Sequence, residues 1–137
     1  VRTGFMIVLD EQLLGRNLER DIAKWYRGKV VFIADLRPNS VIKDEALPEL
    51  LRRCINPTFV TINEKDFWHK VVVDKRYCVI CFAWPDSRVR EITPSLRSLF
   101  NRSEFKTKAK RMGNVIRVAD EKIIYCTFYD RQFKALT

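Results

Sequence analysis

The acidic side chains of this sequence gather at the ends of its apolar runs. Asp10 closes Gly4–Leu9 (GFMIVL), Asp35 follows Lys29–Ala34 (KVVFIA), and Asn63, Glu64 and Asp66 follow Pro57–Ile62 (PTFVTI). Asp44 and Glu45 open the segment that leads toward the third run. Carboxylates brought into one place repel, and some protonate near neutral pH unless a cation neutralises them. Oxygen ligands with the rest of the shell left to water favour Mg²⁺ or Mn²⁺ over Zn²⁺. The chain carries 26 Lys+Arg against 17 Asp+Glu, a net charge of +9, so its favoured partners are polyanions. An acidic metal site in such a chain points to phosphodiester hydrolysis, in which the metal stabilises charge developing at phosphorus and activates a water for in-line attack. Taken singly, each position also has a plainer reading, because Asp or Asn after a strand forms turns and caps helices. That reading applies in full to Asp35 and Glu64, and less to Asp10 and Asp66, which adjoin buried runs.

The elements that must position these residues follow from periodicity. The three apolar runs read as strands buried on both faces. Between the first two, Leu13, Leu14, Leu18, Ile22 and Trp25 or Tyr26 recur at helical spacing, which predicts one amphipathic helix over 11–26, stopped at Gly28. Leu47, Leu50, Leu51 and Cys54 predict a second helix, with Pro48 in its first turn. Strands and helices in alternation imply right-handed crossovers and a parallel sheet. Ligands of an open parallel sheet bind beyond the carboxyl ends of its strands, the edge where the acids fall. Tyr77–Trp84 reads as a fourth buried strand, and Thr93–Phe100 as a helix with Thr93 as cap and Pro94 at its first position. Val115–Val118 and Lys122–Phe128 read as a β-hairpin. The expected fold is therefore α/β, with a mainly parallel central sheet, helices on both faces and a C-terminal hairpin. With no repeat and no long linker, 1–137 is expected to be one domain.

With 47% apolar residues in 137, the chain can build one core, which excludes collagen-like and disordered classes. Its longest apolar run, Tyr77–Trp84, is far shorter than the ~20 residues of a membrane-spanning helix, so no membrane partner is expected. Four Cys are too few for a disulfide-built mini-protein, and the expected compartment is a reducing cytoplasm. Cys78 and Cys81 resemble a zinc or redox pair, yet an odd separation on a strand sends them to opposite faces and into the core. His69 is the sole histidine and is expected on a surface turn, so a Cys/His zinc site or a His-based nucleophilic triad is disfavoured.

The positive charge is concentrated late. There are 14 bases against 11 acids through Pro85, and 12 against 6 beyond it. Arg97, Arg102, Lys106, Lys108, Lys110 and Arg111 form a basic stretch, readable either as a solvated face or as a phosphate-binding surface. Phe100 and Phe105 lie within it and could stack on nucleotides or anchor the segment on the sheet.

Several motifs, in order, resemble those of the PIN-like nuclease domains: Val8-Leu9-Asp10-Glu11-Gln12, Asp35-Leu36, Asp44-Glu45-Ala46-Leu47, and Val60-Thr61-Ile62-Asn63-Glu64-Lys65-Asp66-Phe67. The late strand and closing hairpin also match that layout, so the resemblance covers most of the chain. It implies a three-layer α/β/α domain and a metal-dependent endoribonuclease acting on single-stranded RNA. Asp10, Asp44 and Asp66 match the metal-binding acids for Mg²⁺ or Mn²⁺, with Glu11, Glu45 and Asn63 as neighbours that orient water or complete the shell. The third motif departs from T-x-D-x-D-F: it is one residue longer, with Asn63 in place of an acid, a form that related toxin nucleases share. Relatives include toxins of bacterial toxin–antitoxin pairs, which implies an antitoxin partner; self-association as a homodimer is left open. The alternative expectation is a catalytically inactive nucleic-acid- or protein-binding module, and a third is a small-molecule phosphatase on the same edge.

Overall fold

Met6–Leu9 (β1), Pro57–Ile62 (β3) and Cys78–Phe82 (β4) are buried along their whole length, as the uninterrupted apolar runs require of strands covered on both faces. In the computed structural model, which describes residues 4–36, 46–62, 71–120 and 122–136, they are neighbours in one seven-stranded sheet. Lys29–Phe32 (β2), Asn114–Val118 (β5), Ile123–Thr127 (β6) and Phe133–Leu136 (β7) complete it, in the order β2-β1-β3-β4-β5-β6-β7. The first five run parallel, and β6 and β7 are antiparallel to their neighbours. The parallel part, 2-1-3-4-5, is a doubly wound order whose switch point lies between β1 and β3.

Strand alternation divides the core in two. Ile7, Leu9, Val60, Ile62, Ile80 and Phe82 face one side, where Leu18–Ala23 (α1) and Ile92–Phe100 (α4) pack. Met6, Val8, Phe59, Val79 and Cys81 face the other, covered by Ile33–Leu36 (α2) and Leu47–Arg52 (α3). Helices therefore lie on both faces, in three layers. A short helix, Lys108–Arg111 (α5), precedes β5. Cys78 and Cys81 fall in the two different clusters, and all four cysteines are buried thiols outside any disulfide. Among the described residues, no helix is long and apolar enough to cross a membrane.

The expected helix over 11–26 is instead broken. Glu11–Leu13 forms a 3-10 turn, Gly15 (φ 75°) and Asn17 (φ 61°) adopt the left-handed conformation, and only then does α1 begin. Left-handed residues cannot continue a right-handed helix, and Leu14, counted toward the apolar face, is exposed. Gly28 does not end α1, whose last residue is Ala23. A side chain there would instead collide with the Phe5 carbonyl, its Cβ falling only 2.5 Å from that oxygen. β2 is also shorter than expected, because the Asp35 carboxylate accepts the Phe32 N–H (3.1 Å) and turns the chain into α2. Asp35 is thus a turn former, as its plainer reading held. Helix α4 starts at Ile92 with Glu91 as N-cap, since the 3-10 segment Asp86–Glu91 runs directly into it; Thr93 does not cap it. Strand β7, mostly exposed, was not legible from apolar pattern and is specified by pairing with the edge of β6.

Candidate active site

The β1–β3 register pairs Leu9 with Val60, so the next residues, Asp10 and Thr61, stand side by side at the carboxyl ends of their strands. The ladder continues one step further, with the Asp10 N–H donating to the Val60 carbonyl at 3.0 Å. Thr61 is buried, and its hydroxyl donates to Asp10 Oδ2 at 2.6 Å. Asp10 Oδ1 accepts the Glu11 N–H at 2.7 Å and caps the 3-10 turn. These donors help fix the carboxylate at the switch point of the sheet.

By alternation, Asp10 points to the side of β1 shared by Met6 and Val8, the face covered by α3. Helix α3 ends near the start of β3, where the Asn56 side chain donates to the Gly4 carbonyl at 2.6 Å. Its first turn, containing Pro48, consequently points toward the rim that holds Asp10. Asp44 and Glu45 immediately precede that segment in sequence but lie outside the described residues, as do Asn63, Glu64, Asp66 and His69. Glu11 is exposed beside Asp10. Among the described residues, no group of three or more His, Cys, Asp or Glu could hold a metal ion.

The same rim is held together by ion pairs. Arg16 bridges to Asp86 at 2.6 Å, joining the chain after β1 to the chain after β4. Arg88 donates to both Glu91 and Asp120 and lies 4.6 Å over the Trp84 ring. These hydrogen bonds hold the Glu91 and Asp120 carboxyls below their ordinary range.

No protein-family model matches the chain, and comparison with curated proteins and with solved structures gives no match. Its chemistry therefore rests on its own geometry.

The six late bases do not join Asp10. Helix α4 runs back from the carboxyl rim, so Phe100 meets Trp25 and Tyr26, and the segment that follows packs near Phe5, at the amino ends of the strands. Phe5 and Asp10 lie at opposite ends of one extended stretch, about 16 Å apart at about 3.3 Å per residue. Arg97, Lys106, Lys108 and Arg111 line an open cavity at this amino rim. Arg102 is paired with Glu104, and the Lys110 ammonium donates to the Ser103 carbonyl. Arg111, expected on a surface, is buried: its guanidinium stacks 4.2 Å from the Phe100 ring and donates to the carbonyls of Phe105 and Lys106. Phe105 is fully buried edge-on to Tyr125, so it anchors the segment and offers no stacking surface.

Sequence reasoning named Asp10 but gave Thr61 no role. The available signal was a hydroxyl inside an otherwise apolar strand, which must find a hydrogen-bond partner when buried. It also missed Phe5, Trp25, Tyr26 and Arg27, which meet the basic segment only through the folding back of α4.

Proposed function

We propose that this chain is a PIN-like, metal-dependent endoribonuclease whose centre lies at the carboxyl rim around Asp10. Asp10 carries the assignment: it is a partly exposed carboxylate at the switch point of a parallel sheet, held in place by Thr61 and by the Glu11 N–H. A carboxylate so oriented supplies the kind of oxygen ligand that a hard divalent cation such as Mg²⁺ or Mn²⁺ takes. Asp44 and Asp66 complete the ligand set, with Glu11, Glu45 and Asn63 orienting water. When bound, the metal supplies charge stabilisation at phosphorus and a more acidic water. Thr61 keeps Asp10 from rotating away, and the Arg16–Asp86 and Arg88 bridges steady the surrounding loops. Single-stranded RNA is the substrate, and an antitoxin-like protein covering this rim is the partner that would silence it.

A labelled single-stranded RNA incubated with the protein and Mn²⁺ tests the assignment. Cleavage that Asp10→Asn removes is expected; equal cleavage by both proteins, or none by either, would count against it. A second reading, an inactive binding module of the same fold, is favoured by one observation. Both Asp10 oxygens already accept protein donors, as a purely structural turn carboxylate would.

A further inference from the structure

The cavity at the amino rim, about 670 Å³, is unusual in its wall chemistry. Among the described residues, no acidic side chain lines it. Trp25, Tyr26 and Phe100 form a cluster of rings meeting edge-on or tilted, with centroids about 6 Å apart. The Arg111 guanidinium caps the Phe100 ring and is desolvated, which lowers its proton affinity. Among the described residues it has no carboxylate partner. A buried cation without a counter-charge is costly, and an anion entering the cavity would relieve that cost.

Orphaned polar groups point the same way. Arg111 Nε and Trp25 Nε1 are buried without a hydrogen-bond partner, and both residues line the cavity beside Tyr26. The Tyr26 hydroxyl faces the Arg111 guanidinium closely enough to interact with its charge and its N–H groups. Arg111 and Tyr26 are more than nine-tenths buried. Buried polar atoms are ordinarily satisfied, so two unpartnered N–H groups in one wall mark a place where a ligand completes the bonding. At the mouth, Arg27, Arg97 and Lys106 are exposed and make no ion pair among the described residues, which leaves their charge available.

We propose that this cavity binds a nucleoside phosphate, its base against the Trp25 indole and its phosphate between Arg97, Lys106 and the Arg111 guanidinium. Planar recognition by an aromatic ring and charge-assisted bonding to phosphate are the two interactions the walls supply together. A second, smaller cavity of about 450 Å³, lined by Thr93 and Pro94, shares Trp25, Arg97 and Asn101 with the first. The surface therefore continues along α4 toward the carboxyl rim. The site adds to the ribonuclease reading but does not require cleavage.

Fluorescence anisotropy in EDTA, with fluorescein-labelled single-stranded oligoribonucleotides bearing a 5′-phosphate or a 5′-hydroxyl, tests the site without cleavage. Saturable binding is expected, and the exposed pair Arg97→Glu/Lys106→Glu should weaken it at least about tenfold, with a salt slope reduced by about 0.7 for each phosphate no longer neutralised. Trp25→Leu should weaken it as well, with circular dichroism confirming the fold. Displacement by nucleoside monophosphates, but not by nucleosides, would assign the free nucleotide as a sufficient ligand. Displacement only by 5′-phosphorylated strands would assign the strand end. Affinity unmoved by the charge reversals would overturn the site, as would equal competition by polyglutamate, which would mark an acidic protein as the occupant. Binding retained while Mn²⁺-dependent cleavage is absent sinks the nuclease reading and leaves this site standing; cleavage without saturable binding in EDTA does the reverse.

Discussion

Thr61 and Asp10, 51 residues apart in sequence, share a 2.6 Å hydrogen bond that joins the carboxyl ends of β3 and β1. The hydroxyl comes from a buried residue and the carboxylate from a partly exposed one, so the bond connects the core to the rim. Replacing Thr61 with Val keeps the strand's shape and deletes the donor. A hydrogen bond to a charged group contributes about 1.5–3 kcal/mol, and a loss near that size is expected in urea unfolding. Cleavage by Thr61→Val should fall about tenfold with little change in secondary structure, since the Asp10 carboxylate then loses its Thr61 donor. A variant as stable and as active as the parent would show that the bond orients nothing.

Divalent metal should stabilise the fold through Asp10. A ligand present at one hundred times its dissociation constant adds about 2.7 kcal/mol to the native state. Thermal unfolding with and without Mn²⁺ is therefore expected to show an upward shift in the parent and none in Asp10→Asn. Asparagine retains an acceptor for the Glu11 N–H, so the variant should still fold. An equal Mn²⁺ shift in both proteins would place the metal elsewhere.

The Arg88 bridges make a pH prediction. Arg88 lowers the carboxyl pKa values of Glu91 and Asp120 in the folded protein. Groups with depressed folded-state values contribute stability above their unfolded pKa, about 4, and lose it as pH falls through the lower folded values. As pH falls below about 4, the parent should thus lose more stability than Arg88→Met, and well above that range the difference between them should be constant. Parallel stability curves across the acid range would refute the coupling.

The cysteines are expected to be inert. Burial pushes the Cys78 thiol up to about 12, and all four thiols are buried. Thiolate is the reactive form. Native protein at pH 8 should leave a chromogenic thiol reagent unreacted until denaturant is added. Rapid labelling of any one cysteine in the native state would contradict the packing.

Much of the parallel framework was legible because burial on both faces leaves a direct mark on sequence. The run Pro57–Ile62 became β3 without adjustment, and the odd spacing of Cys78 and Cys81 was enough to separate them across the sheet. The helix read over 11–26 failed for a local reason: the spacing of Leu13, Leu18 and Ile22 is helical, but Gly15 and Asn17 take left-handed backbone between them. Apolar period reports which side chains are covered and is silent on φ. Two of the three candidate metal acids, Asp44 and Asp66, lie outside the described residues, so the structure bears on the site mainly through Asp10.

By itself, the sequence determined the elements that repeat a burial period, the carboxylate at the end of β1 and the excess of positive charge beyond Pro85. Strand order and register were decided only in three dimensions, because many arrangements of doubly buried strands satisfy one apolar pattern. That choice set Thr61 beside Asp10. It also carried the basic segment to the opposite rim, against Trp25 and Tyr26, where a charged side chain, Arg111, is buried among rings that lie far from it in the chain.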